Sequence, residues 1–318
     1  MMKGTGLRSK KTYLIIIAIA IVAALLIMLP LFNPSKPPEK VTLRIATTTS
    51  LDATGLLNAV KQRFEAKYPN INVTWVAVGT GQALEIGKRG DADLVITHDR
   101  PLEEQFISQG YGVHGISFAY NDFVVLGPPD DPAGVRGSKS VVEAFTRIAE
   151  AGKQGKAVFV SRGDKSGTNL RELRIWDKAK IDPKGQPWYK ETGQGMSQTL
   201  MVTDQLKSAY TLSDRSTYLA FRNRLSLVIV FEGDPYLINV YRATIINQTR
   251  FPWVHYDAAV KFVKFLISPE GQSLISSYQK DGTKLFNVCF GNLTALGIND
   301  PYEQQQVAYW KEQLQKDP

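Results

Sequence analysis

A single cysteine, Cys289, in 318 residues excludes an intramolecular disulfide and any multi-cysteine metal site. It reads as a small buried hydrophobe. Histidine is almost as scarce. His98, His114 and His255 are the only three, and none has a cysteine or second histidine at ligand spacing. Each reads as a surface or satisfied core residue. Neither a G-x-S-x-G elbow nor a G-x-x-x-x-G-K-[ST] phosphate loop is present, which removes the usual hydrolase and nucleotide-binding readings. The acid pairs Asp91/Asp93 and Asp130/Asp131 lie beside Gly or Pro and read as solvated turn acids. Tyr111, Tyr120 and Trp176 read as packing residues. With no nucleophile–base pair in view, no enzyme is expected.

The net charge of +8 hints at nucleic acid until it is located. Residues 1–40 hold six bases (Lys3, Arg8, Lys10, Lys11, Lys36, Lys40) against Glu39, a net of +5 that leaves only +3 for residues 41–318. A nucleic-acid footprint needs a basic stripe on the folded part, and none is seen. Residues 13–32 form an uninterrupted apolar run without charge, long enough for a bilayer core of about 30 Å. Bases precede it, so residues 1–12 are expected in the cytoplasm and the rest outside. The run ends in Leu29-Pro30-Leu31-Phe32 with no small-x-small cleavage site, which favours an uncleaved anchor over a signal peptide. Residues 33–40 (NPSKPPEK) read as a stiff spacer.

Beyond the spacer, strand and helix patterns alternate. Strand-like runs cover 41–46, 71–78, 94–97, 157–161 and 225–231. Helical patterns cover 56–68, a segment through Leu84 and Ile86, 102–109, 141–151, 170–179, about 196–208, 214–221 and 258–267, with a shorter helix after Pro269. This alternation predicts an α/β fold with parallel strands. Three strand–turn–helix junctions share one chemical character: Thr47-Thr48-Thr49-Ser50, Gly79-Thr80-Gly81-Gln82 and the loop 161–168 (SRGDKSGT). Free amides and the positive end of a helix dipole make such junctions anion sites. Hydroxyls add donors, Gly lets backbone approach, and Arg162 adds an always-charged fork. The oxyanion contacts expected here are Thr48, Thr49, Ser50, Thr80, Arg162, Ser166, Gly167 and Thr168. Ser and Thr are also ordinary helix caps, so one junction alone is capping chemistry; four consecutive hydroxyls exceed a cap.

At these same junctions the sequence resembles the tungstate-binding proteins of ABC importers, a branch of the type II periplasmic binding proteins. The matching stretches are 46–50 (ATTTS), 78–84 (VGTGQAL), 90–93 (GDAD), 120–123 (YNDF), 161–168, 188–196 (WYKETGQGM), 210–219 (YTLSDRSTYL) and 230–235 (VFEGDP). They run collinearly over about residues 41–290. Departures are Lys165, where an acid is expected, Ser197 and Ser216 in place of Gly, and the tail from Cys289 on. The resemblance implies a two-lobed type II fold, preceded here by the transmembrane helix, with the chain crossing twice between lobes near 124–127 and 230–233. Lobe one would comprise 41–126 plus 232–318, and lobe two 127–231. An anion held between the lobes would drive hinge closure. Tungstate or molybdate would be the ligand, with no cofactor. A permease and its ATPase would be the partners of a monomer anchored at the cell membrane.

A phosphate-binding protein is the nearest rival, because Arg162-x-Asp164-x-Ser166-Gly167-Thr168 also resembles that family's anion turn. An anchored hydrolase and an extracytoplasmic sensor domain are more distant alternatives. Arg215 is a second candidate cation. A site of donors alone would reject phosphate, which keeps a proton at neutral pH, provided Asp164 is turned away from the anion.

Overall fold

The computed structural model describes residues 40–280 and 282–316. The expected basic stub, the anchor over 13–32 and all but the last residue of the linker lie outside the described residues. Among the described residues no helix is long and apolar enough to cross a membrane.

The first lobe opens with β1 (Val41–Thr48), α1 (Thr49–Thr54), α2 (Leu56–Lys67), β2 (Ile71–Val78), α3 (Thr80–Lys88), β3 (Leu94–Thr97) and α4 (Arg100–Ser108). Apart from α1, which falls where a turn is expected, these match the expected pattern closely, because the helices carry an apolar stripe and the strands are bounded by breakers. Helix α2 buries Leu56, Leu57, Val60 and Phe64 and ends at Tyr68, before Pro69. Strands β2, β1 and β3 pair in parallel.

The long strand β4 (Gly112–Gly127) follows, and the periodicity did not reveal it as a strand. Its alternation is broken by glycine, by two bulges against a later strand and by His114 at a left-handed φ of 53°. The second lobe then builds α5 (Val141–Lys153), β5 (Val158–Ser161), α6 (Gly167–Lys178), β6 (Tyr189–Glu191), α7 (Met196–Gln205), β7 (Ala209–Asp214), α8 (Arg215–Phe221) and β8 (Val228–Phe231). Strand β9 (Ile238–Ile246) returns to the first lobe, followed by α9 (Tyr256–Ile267), α10 (Pro269–Ser277) and α11 (Pro301–Lys316).

The main strand order is β2-β1-β3-β9-β4-β7-β5-β6. It is mixed rather than all parallel: β9 runs antiparallel to β3 and β4, and β4 antiparallel to β7 and β8. Strands β4 and β9 are antiparallel to every strand they pair with among the described residues. Strand β4 serves both lobes. Up to Asp122 it pairs with β9, and from Phe123 it pairs with β7. Its far half alternates, with Phe123 and Val125 entering one second-lobe core and Val124 and Leu126 the other. The first of these cores centres on Trp176, 4.5 Å from Phe145 and 5.1 Å from Phe159 between ring centroids, so Trp176 is a packing residue. In the first lobe, Phe64, Phe262 and Trp310 share a core with Leu43 and Ile116.

The tail beyond Cys289 packs on the first lobe. Glu303 of α11 accepts from the Ser117 amide at 2.7 Å and from Arg242 at 2.9 Å, while Trp310 donates to the His114 carbonyl at 3.0 Å. The His114 ring stacks on Tyr309, centroids 4.0 Å apart. Asp93 is not a solvated turn acid: it is fully buried and paired with Arg44 at 2.6 Å. Burial alone would raise its pKa, but hydrogen bonds from Arg44 and two backbone amides hold it below the usual carboxylate range. Cys289 is buried, as expected of a small hydrophobe.

Candidate functional site

The three junctions meet where the lobes touch. Thr48 ends β1 and N-caps α1, accepting from the Leu51 amide; Thr49 and Ser50 form the first turn of α1. Thr80 is the first residue of α3. From the second lobe, Arg162 follows β5 directly, and Ser166 N-caps α6 by accepting from the Asn169 amide. Gly167 and Thr168 begin that helix. Helix capping and site placement are thus the same event: the sequence that stops each strand and starts each helix puts its hydroxyls at the lobe boundary.

The junctions lie within contact distance of one another. Arg162 Nη2 donates to Thr49 Oγ1 across the boundary at 3.1 Å. Gly167 packs so closely that a Cβ there would lie 2.6 Å from His98 Cε1 and 3.1 Å from Thr80 Oγ1. A Cβ on Gly79 would lie 3.8 Å from the Ser166 amide nitrogen. Thr80, Thr168, Arg162, Ser166 and Ser50 are all no more than 2% exposed. A second bridge closes the same boundary: Arg174 of α6 pairs bidentately with Asp99, the N-cap of α4, at 2.6 and 3.0 Å.

Several buried polar atoms here have no hydrogen-bond partner among the described residues: Thr80 Oγ1, Thr168 Oγ1, Arg162 Nε and His98 Nδ1. Buried polar groups normally find partners, and an orphan costs about 1–3 kcal/mol. Orphans contributed by both lobes therefore point to a polar guest. Asp164 does not compete for it. Its Oδ2 pairs with Arg162 at 2.5 Å and its Oδ1 accepts from the Ser166 amide at 3.1 Å, which braces the loop. Glu172 braces it from behind, accepting from Ser161, Trp176, Tyr189 and Asn169; burial, opposed by these bonds, raises its pKa to about 7.

Arg215 is committed elsewhere. It holds Asp122 at 2.6 and 2.7 Å and Glu232 at 2.5 Å, hydrogen bonds that raise its pKa further. These are the segments through which the chain passes between lobes. His98 is the residue that sequence reasoning missed. It is buried but not satisfied: Nε2 lies 3.2 Å from Ser50 Oγ, and burial lowers its pKa to about 4 despite the nearby charges of Asp214 and Asp99. One signal could have flagged it, since His98 directly follows a fully buried parallel strand, on the edge where ligands bind in such sheets.

A family model for the PBP superfamily domain matches residues 33–270. The chain belongs to the PBP superfamily. Within this family it is 36% identical over 279 residues to the tungstate-binding protein TupA of Peptoclostridium acidaminophilum, covering 86% of this chain and 95% of that one. The solved structure of the tungstate ABC transporter from Geobacter sulfurreducens matches at 45% identity and TM-score 0.66, covering 74% of this chain and 98% of that chain. TupA from Desulfovibrio alaskensis G20 matches at 40% identity and TM-score 0.67, covering 78% and 98%. The two-lobed fold that the resemblance implies is the fold of this family.

Proposed function

We propose that the chain is the solute-binding component of an ABC importer for tungstate or molybdate, capturing the dianion between its lobes and delivering it to a permease. The observation that carries this reading is the set of buried, unpartnered groups drawn from both lobes, namely Thr80 Oγ1, Thr168 Oγ1 and Arg162 Nε. Thr48, Thr49, Ser166 and the Ser50 and Gly167 amides complete the contact set. All can donate, and a deprotonated oxyanion can only accept. The names of the relatives support the choice of tungstate.

Closure would be part of binding. We place the lobe boundaries at Asp122/Phe123 and Leu237/Ile238, where strand pairing changes sheets, rather than at 126/127 and 231/232. The chain would act as a monomer and perform no chemistry of its own, the energy coming from the partner ATPase. Residues 13–32 would tether it to the membrane with the lobes outside, a reading supported by the charge-free run and the bases before it.

One observation favours the phosphate reading. Asp214 is fully buried, and its Oδ2 has no partner among the described residues. A free carboxylate oxygen could receive a phosphate proton. Its other oxygen caps α8, accepting from Ser216 and Thr217. Titration calorimetry with tungstate, molybdate, sulfate and phosphate separates the readings. Tungstate and molybdate should bind at least about 100-fold tighter than phosphate, from unpaired-group penalties of 1–3 kcal/mol or more. Phosphate binding as tight as tungstate at pH 7 would replace this reading with the phosphate one.

A further inference from the structure

His98 is buried at the lobe boundary; Nε2 is in hydrogen-bond contact with Ser50, Nδ1 makes no hydrogen bond of good geometry among the described residues, and the Asn239 side chain is a further, weaker partner of the ring. Nε2 lies 3.2 Å from Ser50 Oγ, and Ser50 Oγ donates to Thr48 Oγ1 at 3.2 Å. A hydroxyl carries one proton. With that proton directed at Thr48, the Ser50–His98 contact is a hydrogen bond only if Nε2 carries the hydrogen. Thr48 Oγ1 also accepts from the Leu51 amide at 3.4 Å, so both its lone pairs are engaged and its own proton turns outward. The three groups form a chain with one direction, from the ring through two hydroxyls.

The opposite direction is chemically available. If Nδ1 held the hydrogen, Nε2 would accept from Ser50, Ser50 would accept from Thr48, and Thr48 would face the boundary with a lone pair. The groups around the ring are the charged Asp214, Asp99 and Arg162 and the neutral Asn239 side chain, whose oxygen competes for a ring N–H, and burial keeps the imidazole neutral near pH 7. The ring therefore sets the chain's direction by tautomer rather than by charge.

We propose that His98, as its Nε2–H tautomer, is a positioning residue that fixes the polarity of the His98–Ser50–Thr48 chain, so that Thr48 meets the oxyanion as a donor and the site favours fully deprotonated oxyanions. The inference rests on the oxyanion reading of the site, but its first test does not. Nitrogen-15 NMR of the full-length chain has three histidines to assign, and the Nε2–H and Nδ1–H tautomers have separate nitrogen shifts. His98 should appear as Nε2–H without any added ligand. An Nδ1–H signal would overturn the proposal.

The second test measures tungstate and phosphate affinity in two variants. Gln can place its amide N–H near the Nε2 position, so His98→Gln should bind tungstate within about 3-fold of wild type. His98→Leu removes the donor and should bind tungstate about 10-fold more weakly, as for one lost hydrogen bond, while phosphate binding falls less. In a Ser50→Ala background His98→Leu should add nothing, because the chain is already cut. A merely structural role would instead give equal losses in both backgrounds and for both anions, and would overturn the proposal. If wild type binds none of tungstate, molybdate or phosphate, the oxyanion reading falls and takes the role of the chain with it. Intact tungstate binding with the wrong tautomer overturns this inference alone.

Discussion

The two lobes bring different chemistry to their shared boundary. The first contributes neutral hydroxyls, Thr48, Thr49, Ser50 and Thr80, and a neutral His98, all fixed by the ends of parallel strands. The second contributes the charge, Arg162, on a loop braced by Asp164 and Glu172. Among the bridges across the boundary are a hydrogen bond from Arg162 and an ion pair from Arg174, both reaching out of the second lobe. The contrast teaches a division of labour. On the proposed reading, the first lobe would be a platform that orders the anion, and the second a clamp whose charge would make closure favourable.

The largest expected effect follows from the clamp. Arg162→Ala should weaken tungstate binding by at least about 30-fold, since truncating one partner of a desolvated charge pair costs about 2–5 kcal/mol. Calorimetry on a variant with unchanged circular dichroism checks this. If the loss is no greater than for a hydroxyl substitution, the lobes do not differ as described.

Next comes the neutrality of the platform. The His98 pKa is lowered to about 4 from 6.5, so the unfolded chain binds its proton first. Stability from this residue is complete above pH 6.5 and falls as pH drops toward 4, by up to about 3 kcal/mol for a shift of this size. Glu172, raised to about 7, has the opposite sign, its stabilisation fading as pH rises through 7, so the bare profile mixes the two. The difference between wild type and His98→Gln isolates the histidine. Denaturant unfolding should show the variant gaining on wild type between pH 6.5 and 4; parallel profiles would mean that His98 is not held neutral.

A hydroxyl of the platform should matter less than the charge of the clamp. Thr80→Val removes one donor of nearly unchanged shape and should cost about 1–2 kcal/mol of binding, roughly 5- to 30-fold. Equal losses for Thr80→Val and Arg162→Ala would erase the contrast. The smallest effect concerns the outer bridge. Arg174 is about one-third exposed at its side chain, so solvent screens the pair, and Arg174→Gln should weaken binding only by about 5-fold. Small-angle scattering should show the ligand-free variant more open than wild type.

Much of this was legible in the sequence, for stated reasons. Segments such as 71–78 and 94–97 are bounded by breakers and fill one strand each, and the structure returns them unchanged. The junction hydroxyls and Arg162, singled out because they exceed what capping needs, come together in the structure. What was hidden depends on long-range pairing. Strand β4 passes through two sheets, and its break in register looks like the end of a strand. Strand β9 carries the buried Arg242, which interrupts an apolar run until its partners Asp300 and Glu303 arrive from the tail. Asp93 looks like a turn acid until Arg44 is seen beside it. His98 had no sequence neighbour to mark it, because Ser50 lies 48 positions away.

The division of labour is tested most directly by locating the metal itself. Crystals of the protein with tungstate, measured at the tungsten absorption edge, should place one tungsten atom with its oxygens in hydrogen-bond reach of both Thr80 and Arg162. Tungsten bound by one lobe alone, or at a site without Arg162, would contradict it.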